Sequence, residues 1–533
     1  MTIRYGLSSL EGLSSGLTHA ELRGRLTRVL QFAATNLDGL DVYSRFWQEE
    51  QTAPKKDQPA SLVNQADKVI VEAALLALVA STVITRADPE NAVLDSLIEK
   101  LKVCARSERV QVLFLRFPHT AASLGIAHVI LSRLGHGDER FDVLVRTALE
   151  SGHADAVERL PYRTMDLRWL LGIMNPSTAP QFDDLLPHSI LTSSVHPIYA
   201  SDLDVYAITH GVMYLTDFGR HELPYSLDPR RLGQLIDSCL AWHIFSNNFD
   251  LLGELLLSAA CIPNAWSPYA GVAWHLLASI WDELGFLPSS TFDSARYAQL
   301  SGESASAYAF LHIYHTTFVA GLLCAVLLRH PQTGGGSYVW ETVPADSAAL
   351  LERAELAVLS AQDFCSHNGN GNHNQRDSPR DLLFELPNQL SIYEKTVSRI
   401  RNYPGPCSLP DAGWADAVAK TAFWQSSEFA MVLNDALIIH AARDYQLPVL
   451  VSALLDRADS HLPLSPTVLE ALAFLTRQQL PSGAIGAHFV VPDNFQSPAA
   501  AEITQSIASC IARLILYVSG SREPVSTLAL VDT

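Results

Sequence analysis

The stretch ELRGRLTRVLQFAATNL, residues 21–37, sets apolar side chains at Leu22, Leu26, Val29, Leu30 and Ala33. Steps of three and four place them on one face of an α-helix. The same spacing returns in NAVLDSLIEKLKVCARS (91–107), RRLGQLIDSCLAWHIF (230–245) and AALLERAELAVLSAQDFC (348–365). No run of strict alternation reaches the length of a strand, so the sequence predicts an all-α protein.

Punctuation such as PYR (161–163), NPSTAP (175–180), LDPRR (227–231) and LPSG (480–483) recurs along the chain. It fits short connections between antiparallel helices. PQTGGGSY (331–338) and SHNGNGNHNQRDSPR (366–380) are expected to be loops. Three regions follow: an N-terminal helical region (1–100), a central helical domain with the candidate site (101–345), and a C-terminal helical region (346–533). LLASIWDELGFLPSSTF (276–292) and LAFLTRQQLPSGAIGAHF (472–489) each run from an apolar helix into a glycine-containing turn. Such turns are similar to those that close inner onto outer helices in α/α toroids, so the expected architecture is an α/α toroid or an irregular solenoid of helix pairs.

With 48% hydrophobic and 17% charged residues, the chain can bury enough apolar surface to fold. Its net charge of −19 repels polyphosphate backbones, which excludes nucleic acid as an expected partner. The N-terminus has no basic segment followed by an apolar one, so no secretory signal is expected. Val69 to Ile84, the run closest to a lipid-facing helix, contains Glu72 and falls short of a membrane span. Seven cysteines, at 104, 239, 261, 324, 365, 407 and 510, are scattered and odd in number. They point to small core residues in a reducing cytoplasm.

The most chemically dense segment is DLDVYAITHGVMYLTDFG, residues 202–219. Ser201 or Asp202 can cap a helix here, with Asp204 in its first turn. Tyr206, His210, Met213 or Tyr214, and Asp217 follow at spacings of three and four and form one stripe, with Thr209 nearby. Tyrosines among titratable groups favour a partly apolar cavity, where a histidine beside a carboxylate acts as general acid or base. A core histidine satisfied by a carbonyl is the competing reading. In SAYAFLHIYHTTFVAGLLC (306–324), Tyr308, His312 and His315 share a face, and Gly321 suggests close approach of another helix. NNFDLLGELLLSAACI (247–262) places Asp250 and Glu254 four apart, the glutamate being either at a polar edge or paired with His210 or His315. LPYRTMDLRWLL (160–171) supplies Arg163, three before Asp166. Cys365, His367 and His373 match no zinc module, and no metal or cofactor is expected. No nucleotide, phosphoryl or common hydrolase motif is present.

PYRTMDLRWLL, DLDVYAITHGVMYLTDFG, NNFDLLGELLL and YHTTFVAGLL together resemble an uncharacterised helical family of actinobacterial proteins found in natural-product gene neighbourhoods, over roughly residues 155–325. The resemblance implies a role in specialised metabolism and directs attention to Asp204, Thr209, His210, Tyr214, Asp217, Glu254 and His315. Asp202, Asp204 and Thr209 are similar to the D-x-D-D-T acid of class II terpene cyclases, with Val205 in place of its second aspartate pair member. The zinc ligands of lanthionine cyclases are not found.

The expected function is a metal-free acid/base cyclase acting on a dehydrated ribosomal peptide, of lanthionine type. His210 is its base or acid, Asp217 or Glu254 the orienter, and Tyr214 a proton donor. Asp204 and His315 complete the catalytic set, and Tyr206, Thr209, Arg163, Tyr308 and His312 are the expected substrate-binding residues. Two alternatives stand beside it: a class II-like terpene cyclase with Asp204 as acid, and a non-catalytic scaffold that binds a peptide or partner biosynthetic enzymes.

Overall fold

A computed structural model describes residues 18–50, 64–154, 156–175, 180–246, 248–263, 266–330, 347–368, 427–459, 464–485 and 498–519. The helices in chain order are α1 (His19–Asn36), α2 (Leu40–Glu50), α3 (Gln65–Ala80), α4 (Asn91–Ala105), α5 (Glu108–Arg116), α6 (Ala121–Arg133), α7 (Glu139–Glu150), α8 (Pro161–Met174), α9 (Asp202–Leu215) and α10 (Pro229–Ser246). They continue as α11 (Phe249–Cys261), α12 (Pro268–Leu284), α13 (Ser294–Ala298), α14 (Gly302–Arg329), α15 (Ser347–Asn368), α16 (Ser427–Arg443), α17 (Leu447–Asp459), α18 (Pro466–Arg477) and α19 (Pro498–Ser519). Among the described residues the β content is one isolated antiparallel bridge, Gln479 to Ile485. The protein is all-helical, as its periodicity predicts.

The start signals work locally. Thr18 with Glu21, Asn64 with Asp67, and Ser201 with Asp204 close capping boxes on α1, α3 and α9. Proline opens α8, α12 and α18, where the missing N–H costs nothing. Gly285 ends α12 at φ 78°, a left-handed conformation that glycine adopts without steric cost.

At the centre lies α14, 28 residues long and apolar on almost every side, which calls for neighbours all round. It receives them from α1, α2, α3 and α11. It is also the one described helix long and apolar enough to cross a membrane, where composition alone singles out residues 69–84; 83% of its most apolar window is buried inside the protein. A Cβ at Gly321 would stand 2.7 Å from Val29 Cγ1 and 2.9 Å from Leu76 Cδ1, so the missing side chain lets α1 and α3 close onto α14. Gly253 on α11 meets Val319 in the same manner.

One apolar core runs from Leu22 through Leu327 and takes in Met431, Val432 and Ile439 of α16. It crosses residue 100 without a break, so the N-terminal helices share the core of the central ones. A second core joins α15 to α19. The two meet at α16, where Asp435 accepts hydrogen bonds from Tyr269 of α12 and from Ser465 Oγ at 2.9 Å, and lies 3.5 Å from Arg457 Nη2. Asp435 and Arg457 are fully buried. Of the two expected loops, 331–338 lies outside the described residues; α15 carries Ser366 and His367 within its last turns, and 369–380, with His373, lies outside. The six described cysteines are free.

Two outcomes are expected. Gly321→Val forces α1 or α3 away from α14 and destabilises by about 1–3 kcal/mol, read from urea denaturation; an unchanged midpoint would show the helices are not in contact there. His243 is 1% exposed, and burial first, then the charges of His440 and Arg443, pushes its pKa down to about 3. The unfolded chain therefore binds one more proton than the native one between about 6.5 and about 3, and this residue's penalty on stability grows as pH falls through that window. His243→Gln flattens the acid limb of a melting-temperature series by one proton.

Candidate functional site

Four helices bring titratable groups to one half-buried cluster. From α11 come Asp250 and Glu254, one turn apart, and from α14 comes His315. From α3 come Lys68 and Glu72, also one turn apart, and from α9 come Tyr206, Thr209 and His210. Two caps hold the frame. The Asn64–Asp67 box at the start of α3 is anchored by Arg109, whose Nη2 donates to Asp67 at 2.9 Å. Asn248 caps α11 and reaches Asp202 on α9 at 3.5 Å.

The His315 ring lies between carboxylates. Nδ1 is 2.7 Å from Glu72 Oε2, and Nε2 is 3.0 Å from Asp250 Oδ1 and 3.6 Å from Glu254 Oε1. Burial opposes a charge on this ring, yet Glu72 and Asp250 outweigh it and hold the imidazolium well above the ordinary histidine value. Conversely, against the effect of burial, His315 and then Lys68 hold Glu72 below its usual range, and His315 does the same for Asp250. Lys68 Nζ stands 3.4 Å from Glu72. Three carboxylates thus face two cations.

His210 is fixed differently. Its Nδ1 lies 2.9 Å from the Tyr206 carbonyl, an atom that only accepts, so Nδ1 carries the proton. Glu254 Oε2 stands 3.4 Å from the same nitrogen and accepts from Thr209 Oγ1 at 2.5 Å. Nε2 makes no hydrogen bond to a described residue, and with a fifth of the side chain exposed it is an available base. The rings of Tyr162, Tyr206 and Tyr214 surround the imidazole at 5.7–6.2 Å between centroids. Tyr206 donates to Asp250 Oδ2 at 2.6 Å, and the Tyr214 hydroxyl sits beside Asp166. Burial and then the neighbouring carboxylates push both phenols up, so they remain hydrogen-bond donors and resist ionisation. Burial also raises Asp166, against the opposing pull of Arg163 and His210.

The profile of a domain of unknown function, DUF6895, matches residues 26–325. The chain belongs to that family. No curated protein and no solved structure matches it. Every group of the cluster in this DUF6895 chain lies inside the matched span.

Of the residues singled out in the sequence, His210, Asp250, Glu254, His315, Tyr206 and Thr209 come together, and Tyr214 stands beside His210. The others do not join them. Asp204 is the acid of the α9 capping box, its Oδ2 accepting from Ser201 N at 2.8 Å and Ser201 Oγ at 2.7 Å, which is the ordinary use of an acid in a first turn. Asp217 follows the end of α9 at φ 46°, accepts from Trp169 Nε1 at 2.8 Å and pairs with Arg220 at 3.1 Å, so Glu254, not Asp217, contacts His210. Tyr308 and His312 serve the loop before α13: the Tyr308 hydroxyl accepts from Asp293 N at 2.9 Å, and His312 Nδ1 lies 2.9 Å from Thr291 Oγ1. Arg163 is exposed, stacks over Tyr162 and makes no ion pair with Asp166. Glu72 and Lys68 belong to the cluster but were not expected there. The signal was present, since a glutamate in the run VIVEAALLALVA has to be paired.

His315→Ala leaves its carboxylates facing one another and is expected to destabilise by roughly 2–4 kcal/mol, the lower end reflecting the 24% of the ring open to water. Asp204→Ala, which loses only a cap, costs about 1 kcal/mol. Chemical denaturation of both variants checks the order; a smaller loss for His315→Ala would contradict the charge balance described here.

Proposed function

We propose that this DUF6895 protein is an acid–base enzyme of cyclase or lyase type that acts on a natural-product intermediate. The observation that carries the reading is the convergence of a tautomer-fixed imidazole, His210, with the cationic His315 centre around the shared Glu254 carboxylate, in a site partly open to solvent. A base fixed in one tautomer, in a site partly open to solvent, suits reactions in which a proton leaves one atom and returns to another.

The substrate we favour is a dehydrated ribosomal peptide, closed by lanthionine-type ring formation. His210 Nε2 takes the proton of a peptide cysteine, and the thiolate attacks the β-carbon of a dehydro residue. A carbon–sulfur bond forms as the carbon–carbon π pair moves toward the carbonyl oxygen. The developing oxyanion calls for positive charge beside it, and the proton taken from sulfur returns to the α-carbon from His210 Nε2. The addition is redox-neutral and consumes no co-reactant. Tyr162, Tyr206 and Tyr214 supply an apolar wall with polar tips for a peptide backbone. Antiparallel helix pairing supports an α/α toroid or irregular solenoid as the frame, and we place the enzyme in the cytoplasm among partner biosynthetic enzymes.

The test is incubation of the purified protein with a synthetic peptide that carries a dehydroalanine and a free cysteine, following loss of free thiol by labelling and mass spectrometry. His210→Ala should slow ring formation by about 10²–10⁴-fold while keeping the wild-type circular dichroism spectrum. Full activity of a folded His210→Ala would overturn the assignment. Peptide binding without thiol loss by the wild type would replace it with the scaffold reading.

A further inference from the structure

Three atoms in the cluster face one another, while the outer atom of each group is already held. His315 turns Nε2 inward and has Nδ1 against Glu72 at 2.7 Å. Asp250 turns Oδ1 inward and has Oδ2 held by the Tyr206 hydroxyl at 2.6 Å. Glu254 turns Oε1 inward and has Oε2 held by the Thr209 hydroxyl at 2.5 Å. A histidine whose far nitrogen is held by a carboxylate, beside carboxylates whose far oxygens accept hydrogen bonds, is how proteins orient the ligands of a bound cation.

Distances agree with that use. Nε2 stands 3.0 Å from Asp250 Oδ1 and 3.6 Å from Glu254 Oε1, and all three inner atoms lie within 4.8 Å of one another. Ligands at about 2.1 Å from a metal are separated by about 3.0–3.4 Å along the edges of an octahedron or tetrahedron.

An acidic cluster alone would not decide the matter, but Asp250 adds an independent sign. It is 8% exposed, and its buried Oδ1 has an ion-pair partner, His315 Nε2 at 3.0 Å, but no in-line hydrogen-bond donor. Buried carboxylate oxygens left so are rare and costly. The charges point the same way, since the carboxylates of residues 72, 250 and 254 outnumber the cations of residues 68 and 315 by one. A divalent cation seated among the inner atoms offsets that excess and aligns with the lone pairs of Oδ1.

We propose that Asp250, Glu254 and His315 bind one divalent transition-metal cation of the Mn²⁺ or Zn²⁺ class. One imidazole among carboxylates favours these over Mg²⁺, which takes oxygen ligands and holds its waters. Three protein ligands leave positions open for water or substrate, so the cation would stand where the acid–base reading needs positive charge. For that role the inference rests on that reading; for binding it does not.

The experiment uses the full chain stripped with EDTA and dialysed, then titrated calorimetrically with MnCl₂, ZnCl₂ or MgCl₂. Expected are one equivalent of Mn²⁺ or Zn²⁺, with Mg²⁺ at least tenfold weaker, and a metal-dependent rise in melting temperature. Asp250→Asn and His315→Ala should abolish the tight site. Tyr206→Phe, which removes only the hydroxyl behind Asp250 and leaves the fold in place, should weaken binding by about 10–100-fold. Asp204→Ala, which alters only the α9 cap, should bind like the wild type. The inference falls if the stripped wild type binds no more Mn²⁺ or Zn²⁺ than Asp250→Asn does, or if Tyr206→Phe and the wild type have equal affinity. Tight, Asp250-dependent binding together with full ring-forming activity of His210→Ala would sink the acid–base reading and leave the metal site standing.

Discussion

Everything in the central part of this protein answers to one constraint: α14 is buried along nearly its whole length, yet it carries an imidazole that must be balanced. Apolar neighbours satisfy the rest of the helix through close contacts such as those at Gly321 and Gly253. At His315 the same neighbours have to supply charge instead of methyl groups. Glu72 does so from α3, and Asp250 and Glu254 do so from α11. Packing and chemistry are therefore set by the same helix contacts, because the elements that bury α14 are the ones that carry its counter-charges.

Much of this was legible in the sequence. Apolar spacing of three and four gave the helices, and Ser201 with Asp204 announced the start of α9 as a capping box should. Glu254, followed by three leucines, had to find a cationic or hydrogen-bonding partner, and it found His210, His315 and Thr209. Glu72 was equally conspicuous but was read only as a charge that spoils a membrane span. A charge in an apolar run says that a partner exists without saying on which helix.

Spacing fixes a shared face but not a shared neighbour, because of the rise along the helix axis. Tyr308, His312 and His315 share a broad face, but seven residues rise about 10 Å. Over that length the neighbours change. The segment around Thr291 and Asp293 covers Tyr308 and His312, whereas α3 and α11 cover His315. Ligand motifs such as H-x-x-x-H are visible because one helix carries both groups. The inner atoms of this cluster are divided between α11 and α14, and no spacing along the chain records that division.

The Asp435 node bears on how such a protein can be inherited. The family match stops at residue 325, which invites a picture of a conserved core with an optional appendage. Tyr269 belongs to the matched span, whereas Asp435, Arg457 and Ser465 lie beyond it, and their hydrogen bonds meet where water does not reach. Shedding the later helices would strand the phenol of Tyr269 and bare the apolar surface that α16 covers. The kinship boundary and the folding boundary are different lines, and a lineage lacking the C-terminal helices would have to repaint that seam with other residues.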